Sequence, residues 1–557
     1  MVSRKQHVLN TRRVAFGFLL AAALALLVQA QSINRASKKF YPDDPLWREP
    51  EPRATAKVTT RKVDDLYDFV ENRFVTPRVQ ENVQKEGPIP AGNINTLGEV
   101  PDSNWYTNRH WRKRMSVAEL QRGTGNTTPP DPKGTWQVIS AKSDGISPGF
   151  VIEDQQKNRY VLKFDPPDFP ELASAADVIS SKFFYALGYN TPEDYVVRFS
   201  RENLTIGKDV FWRDANGKKR PLTQRVIDKM LELQPKDSSG SYRALASRWI
   251  AGDLVGPFNY KGTRSDDPND IVPHEHRREL RGLRVFASWL NHTDVKQMNT
   301  MDAMVTENGR RYLKHYLMDF GSTLGSDGNT SKNPWRGHVY PISPKTAFVQ
   351  TVTLGFYIPR WMRANYPKLQ GVGAFEGDTF DPESWIPDYP NAAFLMMDED
   401  DAFWAAKQVI RFSDEDIRTI VETGEFTDKR AVDWITESII KRRDEIARTW
   451  LSKSLPLDEF RVDGGSLVFE DLSSKYHLFQ PHKYQVHWSS YDNDHGNLQA
   501  LPNATGWNVP MPSGGVGYLA AVIQCTTTDA LCRKPVTVFV RVNGSRFDVV
   551  GIDRQTR

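Results

Sequence analysis

Cysteine is nearly absent: the 557 residues hold two, Cys525 and Cys532. No Cys or His pair lies near them to complete four ligands, which argues against a zinc site. An excess of charge of one sign is also missing. Lys and Arg number 73 against 69 Asp and Glu, for a formal net charge of +4. That balance predicts neither a nucleic-acid partner nor an acidic one. Long apolar runs are lacking except for one near the N-terminus, which excludes a polytopic membrane protein. There are no internal repeats and no low-complexity tracts. With 39% hydrophobic and 25% charged residues the balance is that of a globular protein, so a wholly disordered or collagen-like chain is excluded.

The single apolar run, Val14 to Val28, follows Arg4, Lys5, Arg12 and Arg13 and ends in Val28-Gln29-Ala30. A basic segment, a short apolar run and a small-residue site describe an export signal over residues 1–30. Its length is short for a span, though a membrane anchor over residues 14–30 is the alternative. The expected location is therefore periplasmic or extracellular, with membrane contact only if this segment is kept. In such a compartment Cys525 and Cys532, lying between the strand-like runs Gly517–Gln524 and Pro535–Val542, are expected to pair as a disulfide.

Residues 31–135 are polar and Pro-punctuated and read as an extension or linker. From Trp136 the pattern changes to strand, glycine loop, strand, turn and strand, over Trp136–Lys142, Phe150–Asp154 and Arg159–Phe164. Glu171–Leu187 reads as a helix stopped by Gly188, and Tyr195–Phe199 as a further strand. His274–Leu290 is a long helical pattern closed by Asn291. Strand-like segments near Met301–Thr306 and Arg311–Met318 follow. Ala402–Val409, Asp414–Thr423 and Lys429–Trp450 read as helices. From Leu457 the texture is β, and its spacing suggests a small antiparallel sandwich.

Three segments carry chemistry. Lys163 sits in the strand Tyr160-Val-Leu-Lys-Phe164, behind the loop Gly145-Ile-Ser-Pro-Gly149. His292-Thr-Asp294-Val-Lys296-Gln-Met-Asn299 follows the long helix. Met318-Asp319-Phe320-Gly321 ends a strand. Phosphoryl transfer needs an ammonium and backbone N–H groups on the phosphates. It also needs carboxylate and amide oxygens for Mg2+, and a carboxylate near the acceptor hydroxyl. Asp-Phe-Gly alone occurs by chance in roughly one such chain in ten to twenty, whereas the four fixed residues of H-x-D-x-K-x-x-N occur in well under about 1%.

These segments stand in the order used by protein kinases: glycine loop, strand Lys, helix acid, H-x-D loop, Asn, D-F-G. Over about residues 136–450 the chain resembles the protein-kinase-like fold, in its atypical branches such as HipA-type and secreted or spore-coat kinases. Gly145 through Lys163, with the helix to Gly188-Tyr-Asn-Thr-Pro192, is similar to the small lobe of HipA-like proteins. The resemblance implies an α+β chain with a bilobal kinase-like domain, the small lobe over 136–200 and the large lobe over 201–456. A C-terminal β-sandwich-like module would cover 457–557.

It further implies that Gly145, Gly149 and Lys163 contact the phosphates of ATP. Asp177, or alternatively Glu171, would orient Lys163. Asp294 would act as base, with Lys296 steadying the transferring phosphate, and Asn299 and Asp319 would hold Mg2+ or Mn2+. The partners implied are the nucleotide and an unidentified protein or small-molecule hydroxyl. The pattern departs in three places: Pro148 breaks the glycine loop, no A-P-E sequence follows Asp319, and Thr293 replaces the arginine of H-R-D, which removes the usual receptor for an activation-loop phosphate. Two other readings stay open, nucleotidyl transfer and a catalytically silent secreted binding protein on this scaffold. His274-Glu-His276 lacks a third ligand at useful spacing and reads as a solvated helix start. His482, His487 and His495 read as surface or turn residues.

Overall fold

The computed structural model describes residues 38–77, 89–125, 128–141, 149–213, 218–340, 359–480, 482–512, 515–526 and 534–554. The expected export segment, Gly145 and Cys532 lie outside these residues.

Strands β1 (Trp136–Ala141), β2 (Gly149–Glu153) and β3 (Arg159–Lys163) pair antiparallel in chain order. Their alternation puts Trp136, Val138, Phe150, Ile152, Tyr160 and Leu162 in one apolar cluster. Beyond them run β4 (Asp194–Phe199), the short β5 (Leu204–Ile206), a hairpin of β6 (Phe211–Arg213) with β7 (Lys219–Pro221), and β8 (Tyr242–Arg248). The six-stranded sheet has the order β4-β8-β3-β2-β1-β5. Inserted between β3 and β4, β8 sets Leu245 opposite Lys163.

Helix α1 (Leu172–Ala186) crosses between this sheet and the helical body. Apolar residues occupy most of its circumference, as expected of a helix covered on all sides. Gly188 ends it at φ +115°, where a Cβ would lie 2.2 Å from the Tyr106 ring. Gly188→Ala is expected to cost about 1–3 kcal/mol through strain and overpacking, read by urea denaturation. Unchanged stability would mean that Tyr106 moves aside.

The helical body consists of α2 (Arg278–Trp289), α3 (Glu399–Val409), α4 (Asp414–Glu422) and α5 (Lys429–Leu451). Asp398 and Ser413 close capping boxes at the starts of α3 and α4, which fix where those helices begin. Trp289, Trp404, Phe412 and Ile439 share one core with α1. Between α2 and α3 the helix backbones approach closely: a Cβ on Gly282 would lie 2.7 Å from the Trp404 ring. A three-stranded sheet of β9 (Asp253–Gly256), β10 (Thr300–Glu307) and β11 (Arg310–Leu317) flanks this body, with β10 central.

The C-terminal strands are β12 (Leu457–Asp463), β13 (Ser466–Asp471), β14 (Tyr484–Tyr491), β15 (Leu498–Thr505), β16 (Val516–Cys525), β17 (Val536–Asn543) and β18 (Arg546–Asp553). Five form one antiparallel sheet, β15-β14-β16-β17-β18. The β12–β13 hairpin packs on one face through Leu457, Leu467 and Trp488. Phe40, from the N-terminal extension, packs on the other face against Tyr491, Phe539 and Val550.

The rest of that extension also enters the body. Trp105 stacks on His315 at 3.5 Å, and the Tyr106 hydroxyl donates to Gln408 at 3.0 Å. His274 corrects the sequence reading. It is buried against Trp105 with Nε2 2.8 Å from Asp270, because the extension covers what would otherwise be a solvated helix start.

Candidate active site

The β10–β11 register pairs Thr300 with Leu317, so Asn299 and Asp319 lie at the same end of one hairpin. Met318 N donates to the Asn299 carbonyl at 3.0 Å and fastens the two segments together. The long sequence gap between the two residues is simply this hairpin.

Lys163 ends β3 and points its ammonium at both acids. Its Nζ lies 3.2 Å from Asp177 Oδ2 and 2.8 Å from Asp319 Oδ1. Burial works to lower the lysine pKa, and the two carboxylates outweigh it, so the net shift is upward and the ammonium stays charged. Asp177 is the helix acid that meets Lys163. Its second oxygen accepts from the Phe320 backbone N–H at 3.1 Å, which ties α1 to the turn after Asp319. Burial raises the Asp177 pKa against the pull of Lys163. Glu171 instead accepts from the Thr427 backbone N–H at 3.1 Å, beyond the start of α1. Behind the pair Asp194 is buried, and burial together with Asp177 pushes its carboxyl up to about 7.

Asp319 adopts left-handed backbone, φ 61° and ψ 65°. A non-glycine residue there costs about 1–2 kcal/mol, and such strain clusters at functional sites. Its side chain is 47% exposed against 3% for Asp177, so Asp319 faces solvent while Asp177 faces the interior. Phe320 turns the other way. Its ring stacks on Phe184 of α1 at 4.9 Å and lies 5.8 Å from the His292 ring. Burial pushes His292 down to about 4, so it packs as a neutral ring. Two loops and a helix are thus locked by one aromatic group.

Asp294 accepts from Asn299 Nδ2 at 2.9 Å and meets Lys296 Nζ at 3.2 Å. Because the Asn299 nitrogen faces Asp294, its carbonyl oxygen is the end available to a cation. Among the described residues no cluster of three or more His, Cys, Asp or Glu could hold a metal alone. Asp319 and Asn299 offer hard oxygen donors, which suits a Mg2+-type ion that takes one or two protein ligands and completes its shell with water and phosphate oxygens.

Gly149 lies in β2 directly opposite Lys163, where a Cβ would fall 2.0 Å from the Leu162 carbonyl oxygen. Its place in the sheet therefore follows from strand packing, whatever it does for a phosphate. Residues missed by the sequence reading also reach the site. Asp68, on the helical turn Asp65–Val70 of the extension, is buried near Lys296 and Asp294, and burial pushes its carboxyl up to about 6. Phe69 beside it packs edge-on against Tyr389 at 5.6 Å. No local pattern marks that turn as part of a site. Cys525 ends β16 opposite Tyr484. His487 and His495 are exposed and His482 is partly covered.

No family model matches the chain, and no curated protein matches it. Among solved structures it is similar to a crystal structure of the Golgi casein kinase, at 10% identity and a TM-score of 0.26, over 73% of this chain and 94% of that one. The same kinase with Mn/ADP bound gives 10% identity and a TM-score of 0.26, over 72% and 94%. Both neighbours are kinases, and at that TM-score the likeness leaves the functional reading to the site itself.

Proposed function

We propose that the chain is an exported kinase-like phosphotransferase that moves the γ-phosphoryl of ATP to a protein or small-molecule hydroxyl. One observation carries the reading: the Lys163 ammonium sits between a buried helix carboxylate and the exposed Asp319, with Asn299 and Asp294 at the base of the same hairpin. In this reading the small lobe runs past the expected end at 200 to Arg248, because β5 and β8 belong to the same six-stranded sheet, and the large lobe follows to 456, with 31–135 an extension that completes the body and 457–557 an appended β-rich module. The Cys525–Cys532 disulfide and export of the chain belong to the same proposal.

Lys163 would hold the α/β-phosphates, and Asp177 keeps its ammonium aimed at them. Asp319 and Asn299 would hold Mg2+ or Mn2+, which when bound would neutralise charge on the phosphates. Asp294 takes the proton of the acceptor hydroxyl as its oxygen bonds to the γ-phosphorus. The bond from that phosphorus to the bridging oxygen breaks, and its electron pair leaves with ADP. Lys296, beside Asp294, meets the transferring phosphoryl.

Thermal-shift titration of the chain with ATP and ADP, with and without Mg2+ or Mn2+, tests the site. A ligand at about 100 times its Kd stabilises by about 2.7 kcal/mol, a shift of several degrees in melting point. The shift should require metal and vanish in Asp319→Ala. No shift with any nucleotide would return the chain to a silent binding scaffold. Release of pyrophosphate in place of ADP would indicate nucleotidyl transfer.

A further inference from the structure

Lys332 lies past Asp319, outside every motif of the sequence, and is 2% exposed. Its ammonium donates to the Asn291 carbonyl at 3.1 Å, the Thr293 hydroxyl at 2.8 Å and the Ser322 carbonyl at 2.8 Å. An ammonium has three donors, and here all three are used. Two acceptors lie on the loop that carries Asp294. The third lies on the turn that follows Asp319.

Its partners set Lys332 apart from Lys407, another buried lysine of the body. Lys407 meets two carboxylates, Glu99 and Asp458. All three acceptors of Lys332 are uncharged. Burying an ammonium without a carboxylate in contact is costly, and removing it alone leaves its acceptors without a donor. Its carboxylates stand one step away: Thr293 Oγ1 donates to Asp388 at 3.1 Å, and Arg336 bridges Asp388 at 2.6 Å and Asp327 at 3.1 Å. The Asp388 backbone N–H closes the ring on the Thr293 carbonyl at 2.8 Å.

We propose that Lys332 is a positioning residue that staples the Asp294 loop to the Asp319 turn and holds the two carboxylates at a fixed spacing. It occupies, from within the chain, the bridging role that an arginine with a loop phosphate would serve, at the loop where Thr293 stands in place of that arginine. The role rests on the phosphotransfer reading above. Burial pushes Lys332 down to about 8, against Asp388 and Asp327, consistent with an ammonium held by geometry instead of by a direct ion pair.

The test uses the full chain with Mg-ATP, reading ADP formation with water as acceptor, in wild type, Lys332→Met and Thr293→Val. A misplacement of about 1 Å at a reacting group can cost about 100-fold in rate. Lys332→Met is expected to lower kcat about 30- to 100-fold with KM within about threefold, since the Lys163–Asp177 pair keeps its own contact. Thr293→Val removes one arm of the staple and should fall between the two, which keeps the test alive if Lys332→Met fails to fold. Wild-type turnover with both variants unchanged overturns this role alone. A parallel loss of kcat, KM and melting point, matched by Gly188→Ala, makes Lys332 merely structural and also overturns it. A wild type without turnover or nucleotide binding overturns the phosphotransfer reading, and this role with it.

Discussion

Asp294→Asn is expected to lower turnover of Mg-ATP by about 10²- to 10⁴-fold and to leave nucleotide affinity within a few-fold of wild type. The amide keeps the shape of the carboxylate, and its one oxygen can still accept from either Asn299 Nδ2 or Lys296 Nζ, which contact different oxygens of Asp294 in the wild type. It cannot take a proton. In the proposed site the nucleotide would be held elsewhere, by Lys163. Steady-state kinetics with a parallel binding titration separate the two effects. Turnover within about tenfold of wild type would mean that proton transfer is not what Asp294 supplies. Loss of affinity equal to the loss of rate would place Asp294 on the nucleotide.

The largest loss of stability is expected at Asp401, on α3. Its carboxylate accepts from Arg278 Nε at 2.9 Å and Arg281 Nη1 at 3.2 Å, and all three side chains are buried. The same carboxylate closes the capping box of α3 on the Asp398 backbone N–H at 3.1 Å. Asp401→Ala strands two guanidinium groups away from water and removes a cap. Breaking a buried pair in this way costs about 3–5 kcal/mol, and the cap adds about 1 kcal/mol. Urea denaturation should show the chain near the limit of ordinary domain stability, while Asp401→Asn, which keeps an acceptor, should lose less. A loss below about 1 kcal/mol for Asp401→Ala would mean that Arg278 and Arg281 find other acceptors.

Local rules account for much of what was legible. The strands over 136–164 follow from period-two alternation, and each structural boundary falls within a residue of the pattern. The helix over 172–186 follows from its apolar spacing and from Gly188. Capping residues Ser413 and Asp428 stand where α4 and α5 begin. The strand Leu498–Thr505 was not anticipated, since its Pro502 and Asn503 break the strand pattern. Of the two helix acids, Asp177 near the middle of the helix is the one the structure puts against Lys163, and Glu171 at its start is not.

Other features had no local signature. β8 enters the sheet between β3 and β4 from a stretch that carries no clear strand period, because strand pairing over long separations leaves no periodicity behind. The stack of Phe184, Phe320 and His292 joins residues from three segments, each of which reads alone as an ordinary apolar position. Asp68 reaches Asp294 only because the extension folds back along the body.

The sequence by itself determined the chemistry on offer: which side chains can hold phosphate, cation or proton, and in what order they follow one another. Residue type and short spacing suffice for that, since both are written locally. Tertiary structure alone decided which of them meet. It set Lys163 between Asp177 and Asp319, turned Asp319 into left-handed backbone, buried His274 under the extension, and passed Lys332 between two loops. Each of these depends on contacts between distant segments, whose energies come from burial and from hydrogen bonds that exist only when the whole chain is packed.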